Sequence, residues 1–177
     1  MSLTIQLPAQ KNQTAFNLRR WSELVNDQEL ARLPYHIETD RLGRIIMSPP
    51  PAVDHTKRVA EILKFLHELF PQGKVLAETP VSTSDGVKAM DAAWLSPQRA
   101  NELGSGPCLL RAPEICIEVL SPSNSQLEMV EKRALYFEAG AAEVWTCDLD
   151  GSMTFHVGHD APQAEKSQLV PNFPVNV

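Results

Sequence analysis

The segment Ala112–Gly140, APEICIEVLSPSNSQLEMVEKRALYFEAG, holds a short apolar run, a Ser/Pro turn and a long amphipathic stretch. Within it, Ile115-Cys116-Ile117-Glu118-Val119-Leu120 is rich in β-branched residues and bounded by Pro113 and by Ser121-Pro122. That is the pattern of a buried strand. Side chains alternate across a sheet, so Ile115, Ile117 and Val119 share one face and Cys116, Glu118 and Leu120 the other. An ionised carboxylate in such a run is costly unless it is paired or meets a cation. The alternative is a solvated Glu at the open end of an edge strand.

The helix follows directly. Ser125-Gln126-Leu127-Glu128 fits a capping box, with Ser at the cap and Glu three residues on. Leu127, Val130, Ala134 and Phe137 recur at helical spacing, and Gly140 is a natural stop. Lys132 shares a face with Glu128 and Tyr136; the plain alternative is a solvated lysine weakly paired with Glu128. If the helix folds back along the strand, the chain rises roughly 7 Å from Glu118 to Leu120. It then descends about 9 Å from Gln126 to Lys132. The two charges are expected at similar heights.

At 177 residues the chain is long enough for one domain with a real core. We expect an N-terminal arm over 1–20 and a single domain over 21–177. No apolar run approaches a membrane span, and the start has no secretory pattern. Cys108, Cys116 and Cys147 are odd in number and lack metal spacing, so they are read as reduced thiols in a cytoplasmic protein. The net charge of −6 runs against nucleic-acid binding, which favours a basic patch. Catalytic carboxylates countered by a bound cation can still give an acidic nuclease.

Outward from the central segment, Trp21 to Arg32 reads as a short helix ending before Pro34. Tyr35 to Thr39 and Arg44 to Met47 read as a hairpin, with Glu38 near the end of its first strand, where a solvated edge residue is the plain alternative. Asp54 is expected to cap a helix through Phe70, with Val59, Ile62, Leu63, Leu66 and Phe70 as its buried stripe. His55 lies one turn before Val59 and points the same way; the plain alternative is a helix-start histidine hydrogen-bonded to backbone. Lys74 to Val81 and Val87 to Leu95 read as strands about a Ser84-Asp85-Gly86 turn. Asp91 falls inside the second of these, where Asp is disfavoured; a β-bulge or an edge position is the alternative explanation. Ser96 to Pro107 is a polar loop with room for one helical turn. Glu143 to Leu149 and Met153 to Val157 form a hairpin about Asp150-Gly151, with His156 and His159 exposed on it. A last strand is expected around Gln168 to Val170.

These residues carry a resemblance. Tyr35-His36-Ile37-Glu38, Met47-Ser48-Pro49-Pro50, His55, Met90-Asp91-Ala92-Ala93-Trp94, Pro113 through Ser123, Glu131-Lys132, Tyr136, Gly140 and Glu143-Val144-Trp145 resemble the Uma-two family of restriction-endonuclease-like proteins. That family lies within the PD-(D/E)xK nuclease superfamily. The resemblance implies an α/β (α+β) fold with a restriction-endonuclease-like core, a central mixed β-sheet flanked by helices. Asp91 matches the motif Asp and Glu118 the second acid. The superfamily's usual lysine position holds Leu120; in the Uma-two pattern the lysine lies on the following helix, which matches Lys132. Met90 replaces a common Pro, and Ala141-Ala142 a frequent Val-Pro pair.

The resemblance implies a DNA endonuclease using Mg²⁺ or Mn²⁺, held by Asp91, Glu118 and the carbonyl of Val119, with Lys132 as the third catalytic residue. Glu38 is a further candidate for a second ion or a bound water. His55 and Tyr136 are candidates for phosphate contacts. Small nucleases of this type often work as homodimers. Two other classes are expected to differ in the site. A catalytically idle nuclease-fold module binding DNA or protein need not bind metal, and a structural interaction domain would leave Asp91 and Glu118 apart and solvated.

Overall fold

A computed structural model describes residues 12–122, 124–159 and 162–177 of the chain. Ser123 and residues 1–11 of the expected arm lie outside the described residues. The elements are α1 (Gln13–Val25), β1 (His36–Thr39), β2 (Ile45–Ser48), α2 (Val53–Leu69), β3 (Lys74–Thr83), β4 (Gly86–Leu95), α3 (Pro97–Asn101), β5 (Ile115–Val119), α4 (Gln126–Glu138), β6 (Glu143–Cys147), β7 (Met153–Val157) and β8 (Gln163–Ala164). β3 to β8 form one sheet in chain order. All its neighbours are antiparallel except β5 and β6, which run parallel. A parallel pair needs a crossover, and α4 is that crossover. β1 and β2 form a separate antiparallel hairpin. The expected mixed α/β architecture, a central sheet flanked by helices, is the one observed.

β5 is buried along its whole length because both faces are covered. On one side Ile62 and Leu66 of α2 pack with Ile115, Ile117, Val119, Trp145 and Phe155. On the other, Tyr136 of α4 packs with Cys116, Met90, Ala93 and Val144. The two faces match the alternation expected for Ile115 to Val119. The α2 stripe is also as expected, with Ile62 and Leu66 fully buried and Val59, Leu63 and Phe70 against the same core.

Several expectations are corrected. The helix expected over 21–32 runs instead over Gln13–Val25, with only a short 3-10 turn at Leu30–Arg32. Asn12 caps it by accepting from the Ala15 N–H at 3.0 Å. The reason is polar: buried Asn17 donates to Ser82 Oγ, Thr83 O and Gly86 O at 2.9, 2.9 and 3.0 Å. An apolar periodicity does not report such an anchor. Asp54 lies inside the first turn of α2 rather than at its cap. His156 is half-buried against Arg133, 2.9 Å away, rather than exposed. The last strand is at Gln163–Ala164; the N–H groups of Gln168 and Leu169 go to the Glu143 carboxylate instead of a ladder.

The β3–β4 turn docks under the β1–β2 hairpin and sets its position. Val87 N donates to Thr39 Oγ1 at 2.9 Å, and Lys88 Nζ to Thr39 O at 3.0 Å. Gly86 makes this possible. Its φ is +85°, and a Cβ there would lie 2.3 Å from Thr39 O. Gly86→Ala is expected to lower stability by about 2 kcal/mol or more, from strain and displaced hairpin backbone. Urea unfolding followed by circular dichroism checks this; a shift within about 0.5 kcal/mol, as at an ordinary surface site, would contradict it.

Candidate active site

β4 and β5 deliver the two acids. Their register pairs Ala92 with Ile117, and one further step sets Asp91 across from Glu118. The alternation of β4 slips just there. Ala92 and Trp94 face the α2 core, while Met90 packs with Ala93 on the α4 side. Opposite the slip, Glu78 of β3 has φ 45°, the one positive value at a non-glycine residue among those described. Irregularities of this kind re-aim a side chain beside an active site. Asp91 Oδ2 accepts from the Val119 N–H at 2.7 Å and lies 3.3 Å from His55 Nε2 of α2. Both contacts fall on Oδ2, and Oδ1 has no hydrogen-bond donor among the described residues.

Glu118 is only 6% exposed. Tyr136 Oη donates to its Oε1 at 2.5 Å. Lys132 Nζ lies 3.1 Å from Oε1 and 3.2 Å from Oε2. The same ammonium is 2.9 Å from Glu38 Oε1, and that oxygen also accepts from the Ala89 N–H at 2.9 Å. Asp91, Glu118 and Lys132 therefore converge, with Glu38 and His55, along one cleft of about 360 Å³. Tyr136 is fully buried. Its hydroxyl meets Glu118, and the ring does not line the cleft.

To make these contacts α4 turns its polar side inward. Lys132 and Tyr136 are its buried residues, whereas Leu127 of the expected apolar stripe is 67% exposed and Val130 is also exposed. Of that stripe Ala134 and Phe137 are partly buried, and Phe137 packs against the core. The capping box at Ser125 and Glu128 forms as expected.

The charges are unbalanced. Burial pushes the Glu118 carboxyl up to about 7, with Lys132 opposing and Asp91 and Glu38 adding to the rise. Burial alone would depress the Lys132 amine, but Glu118 and Glu38 reverse this and hold it above the ordinary lysine range. The hydrogen bond to Asp91 raises His55 against the opposing effect of its burial. Glu38, Asp91 and Glu118 set three carboxylates against one ammonium. Acids therefore outnumber the ammonium, an excess that a divalent cation offsets. The donors are hard oxygens, as Mg²⁺ or Mn²⁺ prefers. Among the described residues no three His, Cys, Asp or Glu side chains group as a cage. An ion here would rest on two carboxylates, a backbone carbonyl and water, the open coordination that Mg²⁺ retains.

Glu78 escaped the reading of the sequence although it lines the cleft. Its signal was a carboxylate inside a strand, Ala77-Glu78-Thr79-Pro80, of the same kind that exposed Asp91. No helix of the described residues is long and apolar enough to cross a membrane.

A family model described as "Putative restriction endonuclease", that of the Uma-two family, matches residues 27–173. The fold is similar to the crystal structure described as "a putative nuclease belonging to DUF820" from Anabaena variabilis ATCC 29413. The TM-score is 0.63 at 20% identity, covering 77% of this chain and 80% of that one. No curated protein matches.

Proposed function

The chain belongs to the Uma-two family, and from that membership and the chemistry of the cleft we propose that it is a metal-dependent endonuclease hydrolysing DNA phosphodiester bonds. The observation that carries this reading is Lys132 meeting Glu118 at 3.1 Å from a helix that leaves Leu127 in solvent. Full burial of a leucine side chain is worth roughly 1.5–3 kcal/mol. A helix that forgoes it to bury an amine departs from the stability rule, as functional sites do.

In this reading Asp91, Glu118 and the Val119 carbonyl would hold Mg²⁺ or Mn²⁺. When bound, the ion polarises the scissile phosphate and acidifies the attacking water. Lys132 keeps its proton and places fixed positive charge beside the oxygen where negative charge grows. Glu38 holds that ammonium in place and leaves it shared between two acids. Tyr136 fixes the Glu118 carboxyl, and His55 holds the inner oxygen of Asp91. Cys108, Cys116 and Cys147 are free and buried, which suits a cytoplasmic setting.

The acidic balance favours a second reading, an idle nuclease fold that binds without cutting. Nicking of supercoiled plasmid separates the two. Purified protein is expected to nick in Mg²⁺, to stop when EDTA is added, and to lose nicking in Asp91→Ala with an unchanged circular dichroism spectrum. Calorimetry should show Mn²⁺ binding lost in the same variant. Nicking by Asp91→Ala at the wild-type rate would refute the site. Mn²⁺ binding without any cleavage would favour the idle fold.

A further inference from the structure

Beside the cleft lies a second hollow of about 430 Å³. α1 contributes Trp21 and Leu24, the chain after it Leu30 and Leu33, and the approach to β1 contributes Tyr35. His36, Glu78 and Ala89 line both hollows, so one bound strand can occupy the two together. We propose that this hollow receives an unpaired nucleobase of the strand whose phosphate lies at Lys132. The substrate is then single-stranded or locally unpaired DNA rather than intact duplex. This rests on the nuclease reading for the placement of the phosphate.

Charge is the first argument. Affinity for duplex comes largely from Lys and Arg contacts to phosphates. The chain carries −6, and Lys132 is the one lysine or arginine lining the cleft among the described residues. Five carboxylates, those of Glu38, Glu78, Asp91, Glu118 and Glu128, line it too. A polyanion needs some other source of affinity here. Stacking of an unpaired base on an aromatic ring adds roughly 1–3 kcal/mol per base and tolerates any sequence, a contribution that a base held inside a duplex cannot make.

The hollow has the parts for that. Tyr35 is 47% exposed and takes part in none of the ring pairs among the described residues. Leu24, Leu30 and Leu33 give an apolar lining. Exposed Glu78 stands at the boundary and can accept from an exocyclic amino group, as carboxylates do from cytosine. Enzymes that bind a base out of the stack combine the same elements, an aromatic or apolar wall with polar groups for the base edge.

The test is fluorescence anisotropy of a dye-labelled oligonucleotide, alone and annealed to its complement, titrated with the full chain in EDTA. The single strand is expected to bind more tightly than the duplex. Tyr35→Ala is expected to weaken single-strand binding by roughly tenfold or more and to leave the duplex isotherm where it was. Equal binding of the two forms, or an unchanged single-strand isotherm in Tyr35→Ala, overturns the proposal. Self-association lost in Tyr35→Ala, with no oligonucleotide bound, assigns the hollow to a second copy and also overturns it. If the single strand binds through Tyr35 but Mg²⁺ elicits no cleavage, the hollow's assignment stands and the nuclease reading falls. If duplex is nicked equally by wild type and Tyr35→Ala, the nuclease reading stands and the base pocket falls.

Discussion

Lys132→Ala is expected to lose about 10²–10³-fold in the rate of Mg²⁺-dependent nicking, the usual effect of removing one preorganised electrostatic donor. The fold is expected to survive. Stripping the partner from a buried ion pair typically costs about 3–5 kcal/mol, but Glu118 has an escape. Burial already lifts its carboxyl to about 7 from an ordinary value near 4.5, so a proton can replace the ammonium. The sign of the pH dependence follows. The folded carboxyl keeps its proton to higher pH than the unfolded one, which favours the fold at low pH. That advantage is lost as pH rises through the folded value. Without Lys132 the folded value moves further up, because the cation favouring ionised Glu118 is gone. Metal-free variant and wild type should therefore differ most above about 7, where only the variant is still losing stability. Urea unfolding in EDTA on either side of that pH measures the gap. Lys132→Met, which keeps the buried stem, should match Ala in nicking and exceed it in stability. Wild-type nicking by either variant would remove Lys132 from the mechanism.

The same ion pair shows how far local pattern reaches. The strand at Ile115–Val119, the capped helix after it and the reach of Lys132 to Glu118 were legible, because each depends on neighbours within the chain. Which face of α4 turns inward was not. Leu127 and Val130 follow the apolar period, yet they are exposed, since the tertiary requirement of Glu118 for a cation outweighs the stripe. The contacts of Tyr136 and Glu38 were hidden for similar reasons. A tyrosine near a charged site can meet ligand or carboxylate, and only packing decides; here Tyr136 is sealed against Glu118. Glu38 comes from the separate β1–β2 hairpin, and its hold on Lys132 depends on Thr39 and Gly86 docking that hairpin. Asp91 announced itself by being out of place in a strand, while the bend that aims it, at Glu78, left only a faint mark.

Glu143 is the other buried acid, and its replacement should have the largest effect on stability. It is 1% exposed. Its Oε1 accepts from the N–H groups of Gln168 and Leu169 at 2.8 and 2.7 Å, and its Oε2 accepts from Trp145 Nε1 at 2.7 Å. Glu143→Ala would strand three donors in the interior. Each unsatisfied group costs about 1–3 kcal/mol, so a total near 4 kcal/mol is expected even if one regains water. That is a large share of the roughly 5–15 kcal/mol a domain has, and it corresponds to a drop in Tm of about 10 °C. The loss should be local in origin. The segment that Glu143 holds also packs Phe173 on Trp145, with ring centroids 4.8 Å apart, so the C-terminal segment should lose its hydrogen-exchange protection first. Glu143→Gln should fall between, because its amide oxygen still meets the two backbone N–H groups while its NH₂ opposes the indole. Glu143 pairs with Ile115 at one end of the β5–β6 ladder, and Glu118 lies toward the other. Nicking at a temperature where the variant is folded should therefore persist. Loss of nicking with an unchanged Tm would instead place Glu143 in the chemistry, and an unchanged Tm with full protection of the tail would mean that these three hydrogen bonds do not hold the fold.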